Sequence, residues 1–244
     1  MQGKRFTITV ETPDGKMPPA QVQIPDMPMT LGDIVPPVHQ LADGVVRLAH
    51  EREQREGREI KCGPGCGACC CQLVPMSIPE IVFIADLLAR IPAEQANAVR
   101  SAFSELKQRL ADSGMLARFD KLNVSREDTA VAKDYFFLRN PCPFLINQSC
   151  SIHGVRPIAC REYNVTSDPQ LCVDPFANTI SRVKMHRKMT TALAKLAAEL
   201  LDIPATLVPM PLMFDWYAEY ESLVKTEWNG VELFEKTITY ALNS

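Results

Sequence analysis

Cys62-Gly63-Pro64-Gly65-Cys66-Gly67-Ala68-Cys69-Cys70-Cys71 is the most informative stretch of this 244-residue chain, because it holds five of its nine cysteines. The other four lie in a second window and are Cys142, Cys150, Cys160 and Cys172. Free cysteine normally behaves as a small buried apolar residue. Two windows rich in thiols instead predict a centre that several thiolates share, which is a metal ion or an iron–sulfur cluster.

The composition is that of an ordinary globular protein, with 46% apolar and 23% charged residues. A chain of this length can bury a core, so it does not need metal merely to become compact. The net charge of -3 argues against a general nucleic-acid binder, because such proteins are normally basic. No stretch approaches the roughly 18 apolar residues of a membrane-spanning helix.

The redox state of the thiols follows from where the protein is expected to act. The chain starts with Met1-Gln2-Gly3-Lys4-Arg5 and shows no apolar run of a secretory signal, so we expect a cytoplasmic protein. Thiols stay reduced in the cytoplasm. The odd count of nine also disfavours a disulfide framework and favours metal ligation or redox chemistry.

The expected fold is mainly α: an irregular helical domain organised around a cysteine-ligated metal centre, with a small N-terminal β-hairpin. Residues 5–11 and 20–24 alternate between apolar and polar types on either side of Pro13-Asp14-Gly15, which predicts the hairpin. Both cysteine windows are predicted to be loops. The expected units are a hairpin extension (1–29), a cysteine-cluster metal-binding domain (30–178) and a C-terminal helical segment packed on it (179–244).

Apolar periodicity and start signals predict the helices. Ser77 and Glu80 have the spacing of a capping box, which predicts a helix that starts there and stops at Ile91-Pro92. A second helix follows, and residues 116–134 are mixed and polar. A strong helix is expected over Thr179–Leu201, and Asn229 with Glu232 predicts the start of the last helix.

Two charged runs are expected to be solvated helix surfaces. The first, residues 51–56, ends the long helix that starts near Pro36-Pro37. The second is the basic cluster of Arg182, Lys184, Arg187 and Lys188. A phosphate or an acidic partner is the alternative for that cluster.

The residues between the cysteines suit metal binding. Glycine lets backbone approach a metal closely and adopt positive φ, and backbone amides there can donate to sulfur. Arg156 and Arg161 stand beside the second window. They would offset the net negative charge of a four-thiolate site that holds a divalent metal.

These motifs together resemble the YkgJ-type cysteine-cluster family, which is described as chelating zinc or iron. Its pattern is C-x3-C-x2-C-C, then C-x-F-L, C-x-I and R-P-x-x-C-R, and it matches about residues 62–165. One departure is His153, which stands where family members usually carry tyrosine. We expect His153 to be packed or hydrogen-bonded rather than a ligand.

The resemblance implies a set of metal ligands in this chain. It comprises Cys62, Cys66, Cys69, Cys70, Cys142, Cys150 and Cys160, with Cys172 chosen as the eighth. Cys71 is then an extra thiol. Two tetrahedral zinc sites would use eight thiolates, but the spacing C-x3-C-x2-C suits an iron–sulfur cluster equally well, so the cofactor stays zinc or an iron–sulfur cluster.

The leading functional hypothesis is a cytoplasmic metal-binding protein, whose partner is the metal ion or cluster. The centre could be a purely structural staple. An iron–sulfur enzyme of the methyl-transfer type (lysine N-methylase-like) is an alternative, because a relative of the family is associated with lysine methylation of flagellin. Ala68 stands where radical S-adenosylmethionine enzymes usually carry an aromatic, which argues against that chemistry. A metal carrier or redox sensor is the third hypothesis.

Overall fold

The computed structural model describes residues 3–119 and 129–243. The protein is mainly α, as predicted. The helices are α1 Val35–Arg55, α2 Ile78–Arg90, α3 Ala93–Asp112, α4 Leu116–Phe119, α5 Thr129–Phe137, α6 Ile158–Glu162, α7 Met189–Leu201, α8 Met213–Glu219, α9 Glu221–Val224 and α10 Gly230–Leu242. Short 3-10 turns cover Gly32–Ile34, His153–Val155, Pro169–Val173 and Met210–Leu212.

The strands are short and pair two by two. They are β1 Gly3–Ile8, β2 Glu11–Thr12, β3 Gly15–Lys16, β4 Ala20–Pro25, β5 Pro28–Met29, β6 Pro75–Met76, β7 Leu145–Ile146, β8 Ser149–Cys150, β9 Val208–Pro209 and β10 Trp228–Asn229. The antiparallel pairs are β1–β4, β2–β3, β5–β10, β6–β9 and β7–β8. Every described helix is too short or too polar to cross a lipid bilayer.

The predicted N-terminal hairpin is confirmed. β1 and β4 pair with Phe6 opposite Val22, and β2 and β3 form the tip. Val22 and Ile24 alternate inward with the period of two that strands require. The ring of Phe6 meets that of Phe234 edge-on, with centroids 4.9 Å apart, which fastens the hairpin to α10.

The largest apolar core draws on residues of all three expected units. Ile24 of the hairpin, Leu41 of α1, Leu196 of α7 and Phe234 of α10 belong to one buried cluster. A second cluster contains Ile84 of α2 together with residues beside the second cysteine window. The C-terminal helices therefore cover the same core as the hairpin and α1.

The charged end of α1 is a solvated surface only in part, because Glu51, Gln54, Arg55 and Glu56 are exposed whereas Glu53 is buried. Glu53 is only 5% exposed, and Arg58 donates to its carboxylate at 2.5 Å. Arg52 donates to Glu53 and, at 2.8 Å, to Asp14 in that tip. Part of the charge run thus belongs to an internal ion network. The local sequence of α1 does not predict this network, because Asp14 lies in the distant hairpin tip.

The expected helix over 179–201 begins ten residues late, at Met189. The segment before it runs beside the stretch that follows α6: Thr166 N–H donates to Ser181 O and Val183 N–H to Asn164 O, both at 2.9 Å. These backbone hydrogen bonds compete with helical ones. The basic cluster therefore lies in irregular chain rather than on a helix face. The predicted cap of the last helix is confirmed, since Asn229 accepts from Val231 N–H and Glu232 N–H.

The capping box at the start of α2 is present and does more than cap. Glu80 Oε2 accepts from Ser77 N–H at 2.9 Å and from the Ser77 hydroxyl at 2.6 Å. Its Oε1 accepts, at 2.7 Å, from the N–H of Ile158, the first residue of α6. Glu80 is 1% exposed. One buried carboxylate therefore joins the start of α2 to the start of the short helix that carries Cys160.

Replacing Glu80 by glutamine should destabilise the protein by roughly 1–3 kcal/mol, because the new amide would face a backbone N–H donor with a donor of its own. Urea unfolding of the reduced, metal-free protein measures this change. The control is Glu94→Gln, an exposed glutamate in the first turn of α3. Equal stabilities of the two variants would contradict the role given to Glu80.

Candidate metal centre

The first cysteine window is the loop that its glycines predict. Two tight turns form it, closed by Cys66 N–H donating to Gly63 O at 3.2 Å and by Cys70 N–H donating to Gly67 O at 2.9 Å. Gly65 adopts φ +88°, a left-handed conformation that favours glycine. The turns keep five thiols in a small volume.

The second window delivers its thiols from different local structures. Cys142 precedes the β7–β8 hairpin and Cys150 ends it, in register with Leu145. Cys160 lies in α6, and Cys172 lies in the 3-10 turn Pro169–Val173. The predicted loop is thus interrupted by short regular elements, each of which orients one thiol.

The two windows lie against each other. Cys142 N–H donates to Cys70 O at 2.7 Å, and Val165 N–H donates to the Sγ of Cys62 at 3.2 Å. Lys61 N–H donates in turn to Val165 O at 2.9 Å. Segments that lie between 72 and 104 residues apart along the chain are therefore joined directly by hydrogen bonds of their backbone.

The electrostatic coupling between the thiols divides them into two sets that share Cys69. Burial raises the pKa of Cys160, and the thiols of Cys142, Cys69 and Cys150 raise it further. Burial likewise raises the pKa of Cys172 to about 11, with Cys62, Cys69 and Cys66 adding to the rise. Each set thus contains four thiols close enough to repel one another once ionised.

The thiols fit a soft metal chemically, but they are not arranged as ligands in advance. All nine are free of disulfides, and burial raises the pKa of Cys142 to about 12, so that it is neutral at physiological pH. In residues 3–119 and 129–243, no three His, Cys, Asp or Glu side chains form a group that could hold a metal ion as placed. Metal ions bind thiolates and release their protons, so final ligation geometry comes with the metal.

A family model covers this part of the molecule. The model, CxxCxxCC, carries the description "Putative zinc- or iron-chelating domain" and matches residues 61–182, half of the chain. The protein belongs to this family. The resemblance drawn from the cysteine pattern is thereby confirmed, and with it a metal-chelating domain. No curated protein and no solved structure matches the chain.

The structure gives a physical reason for the C-x-F and C-x-I motifs of this CxxCxxCC member. The backbone N–H of Phe144 acts on the Cys142 thiol, and that of Ile152 acts on the Cys150 thiol; each opposes the rise in pKa that burial causes. Phe144 is 1% exposed, and Ile152 packs against the same cluster. The apolar side chain two residues after each cysteine thus anchors an N–H that can stabilise thiolate charge.

The two arginines of the R-P-x-x-C-R motif have different roles. Arg156 opposes the burial-driven rise in pKa of Cys150 and of Cys62, so of the two motif arginines it is the one that acts on these thiols. Arg161 is 6% exposed and donates to Asp43 of α1 at 2.7 Å and to the carbonyl of Arg156 at 3.0 Å. Arg161 therefore fastens the loop before α6 to α1 instead of neutralising sulfur.

Two histidines support these arginines. His153 Nε2 lies 2.7 Å from Arg156, which fits the expected hydrogen-bonded role. His39 of α1 lies 3.3 Å from Arg161, and burial, with Arg161, lowers the pKa of His39 to about 4. The neutral ring of His39 can therefore accept a hydrogen bond from Arg161. The sequence analysis missed His39 and Asp43, because their partner lies more than a hundred residues away.

Gly67 lies where the two windows pack closely against each other. A Cβ at this position would lie 2.9 Å from Gln148 Oε1 and 3.0 Å from the Cδ1 of Leu145. It would also lie 3.3 Å from the carbonyl oxygen of Gln148. Only glycine allows the β7–β8 turn to close over the first window without displacement.

Gly67→Ala should therefore weaken the packing of the windows and cost about 1 kcal/mol of stability. The matched control is Gly63→Ala, because a Cβ at Gly63 meets no atom within 4 Å. Urea unfolding and competition with a chelator for zinc measure stability and metal affinity. Equal stability and equal zinc affinity of the two variants would contradict the role given to the contact across Gly67.

The metal-free protein should lose stability as the pH rises above about 9. The pKa of Cys142 is about 12 in the folded protein and 9.0 without the fold, so the folded state keeps a proton that the unfolded state releases. The contribution of Cys142 is complete below pH 9 and declines toward pH 12, by at most about 1.4 kcal/mol per pH unit. Metal affinity should change in the opposite direction, because thiolates are the ligands.

Urea unfolding between about pH 8 and about pH 10, under reducing conditions without metal, measures this slope. Cys142→Ser removes the titrating group and should flatten the curve. A wild-type stability that is independent of pH in this range would refute the prediction.

Proposed function

We propose that the protein holds a resident thiolate centre, of zinc or iron–sulfur, that draws ligands from both cysteine windows. The ligands are the eight predicted thiols, in two adjoining sets that meet at Cys69 and Cys70. The observation that carries this proposal is the contact between Cys142 N–H and Cys70 O at 2.7 Å. It brings the backbone of one window to the thiols of the other.

The division into sets assigns the thiols to two neighbouring positions. Cys142, Cys150 and Cys160 would bind with one thiol of the Cys69–Cys70 pair. Cys62, Cys66 and Cys172 would bind with the other. The Cys69 thiol donates a side-chain hydrogen bond to Cys70, which is the larger cause of the raised pKa of Cys69, and burial adds to the rise. The pair is therefore close enough to serve two metals or one polynuclear cluster.

The chemistry of the donors favours zinc or iron–sulfur over hard metals. Thiolates are soft ligands, whereas calcium and magnesium take oxygen ligands. The nearest buried carboxylate, Glu80, is already hydrogen-bonded to Ser77 and Ile158. A bound metal would supply a crosslink between the two windows and, if it is an iron–sulfur cluster, a redox centre.

Several groups of the chain lie where they would stabilise the negative charge of metal-bound thiolates. The N–H groups of Phe144, Ile152 and Val165 act on the thiols of Cys142, Cys150 and Cys62 respectively. Arg156 is half-buried beside them and acts on thiols of both windows. These groups would offset the negative charge of the thiolates without binding metal themselves.

Anaerobic purification followed by zinc, iron and sulfide analysis tests the proposal. We expect stoichiometric metal; a broad visible absorption band with acid-labile sulfide identifies iron–sulfur, and a colourless metal-loaded protein identifies zinc. A folded protein without metal, with all thiols open to titration, would refute the proposal.

A matched pair of variants tests the ligand assignment. Cys160→Ser should remove a large part of the bound metal, because Cys160 lies at the centre of its set. Cys71→Ser should retain it, because Cys71 is not one of the eight predicted ligands. Equal metal content in the two variants, with circular dichroism confirming that both are folded, would contradict this assignment.

A further inference from the structure

A cavity of about 330 Å³ opens beside the two windows. It lies between the segment that follows the first window, α6, and the irregular segment that leads into α7. Its wall includes Cys69 and Cys160, one predicted ligand from each window. The volume falls at the lower end of the range for small-molecule sites.

Three residues in the wall carry buried polar atoms that have no hydrogen-bond partner in residues 3–119 and 129–243. These atoms are Gln72 Nε2, Tyr163 Oη and Thr190 Oγ1. The side chain of Thr190 belongs to a residue that is only 5% exposed. A buried polar group without a partner costs roughly 1–3 kcal/mol. These three groups belong to residues that line one cavity, and an occupant could supply their missing partners after small side-chain rotations.

The charges around the cavity favour an anion. Arg182 and Lys188 line it, and both belong to the basic cluster of the sequence. The guanidinium of Arg182 lies over the ring of Tyr163, 5.1 Å from its centroid, which holds it at the rim. The only acid among the lining residues is Glu162, and its Oε1 already accepts from Met189 N–H at 2.9 Å.

The start of α7 adds to this bias. α7 begins at Met189, so Thr190 and Thr191 in the wall belong to its first turn. The N-terminal end of a helix carries a partial positive charge. Thr190 combines that position with its unpartnered hydroxyl.

Apart from Asn164, the rest of the wall is apolar. Val74, Val183, Met185 and Leu207 contribute to it. Apolar walls with a few convergent polar groups are typical of sites for small organic molecules. An inorganic anion alone would leave these side chains without contact.

We propose that this cavity binds a small organic carboxylate, with its carboxylate group toward Arg182 and Thr190 and its apolar body among Val183, Met185 and Leu207. The recognition uses no thiol, so it does not require the proposed metal centre, whose thiolate charge would weaken carboxylate binding when the centre is loaded. Because Cys69 and Cys160 line the same cavity, the bound molecule would lie directly beside that centre.

Ligand-detected NMR and calorimetry with sodium 4-methylpentanoate test this inference on the reduced full-length protein, metal-loaded and metal-free. We expect saturable binding that Arg182→Gln and Thr190→Val each weaken by about tenfold, the loss expected when one charge-assisted or buried hydrogen bond is removed. Lys184→Gln is the matched control: Lys184 belongs to the same exposed basic cluster but does not line the cavity. Its affinity should equal that of the wild type.

Two further probes separate the chemistry of the ligand. The neutral 4-methylpentanamide should bind more weakly than the carboxylate, and inorganic phosphate should not compete with it. Absence of saturable carboxylate binding, equal weakening by Lys184→Gln, or phosphate that competes fully would each overturn the inference. Thr190→Val is nearly isosteric, so circular dichroism can verify that its effect is not a loss of folding. Metal content, measured on the same samples, tests the metal centre separately.

Discussion

The buried carboxylate of Glu80 determines where the two cysteine windows can lie. Ser77 and Glu80 follow the first window by only a few residues, and Ile158, which donates to Glu80, precedes Cys160 by two. A carboxylate with almost no exposure must keep all its hydrogen bonds, since water cannot replace them. The start of α2 and the start of α6 are therefore held together, and the thiols on both sides follow. Arg161 extends the same arrangement, because it binds α6 and the preceding loop to α1.

The thiols themselves cannot assemble the site. Their raised pKa values mean that the fold favours neutral sulfur, and mutual repulsion would oppose several thiolates at once. A metal reverses this preference by replacing protons, so binding and local structure are coupled. The scaffold of Glu80, Arg161 and the Gly67 contact brings the windows near each other before metal arrives. The N–H groups after Cys142 and Cys150 would then stabilise the charge that the proposed ligation creates.

Local signals predicted much of this structure. The hairpin, the capping box of Ser77 and Glu80, and the cap at Asn229 could be read because each depends on residues within a few positions. The start of α7 could not be predicted in this way, because hydrogen bonds with Asn164 and Thr166 hold the preceding residues in an extended form. The burial of Glu53 and the second bond of Glu80 depend on segments far away in sequence. For the site, the pattern of cysteines predicted the family and the metal chemistry, but not the cavity: its wall combines Gln72, Tyr163 and Thr190, which carry no motif.

The turn between β7 and β8 adopts an unfavourable backbone conformation that places a side chain over the first cysteine window. Asn147 and Gln148 both have positive φ, 49° and 63°, as a two-residue hairpin turn of the mirror-image type requires. Asparagine tolerates this backbone, but glycine would suit the second position better than glutamine. Glutamine instead extends its amide over Gly67. The less favourable turn thus allows a long side chain to cover the first cysteine window. Relatives that carry glycine at this position would leave the sulfur atoms more exposed to solvent and oxidants.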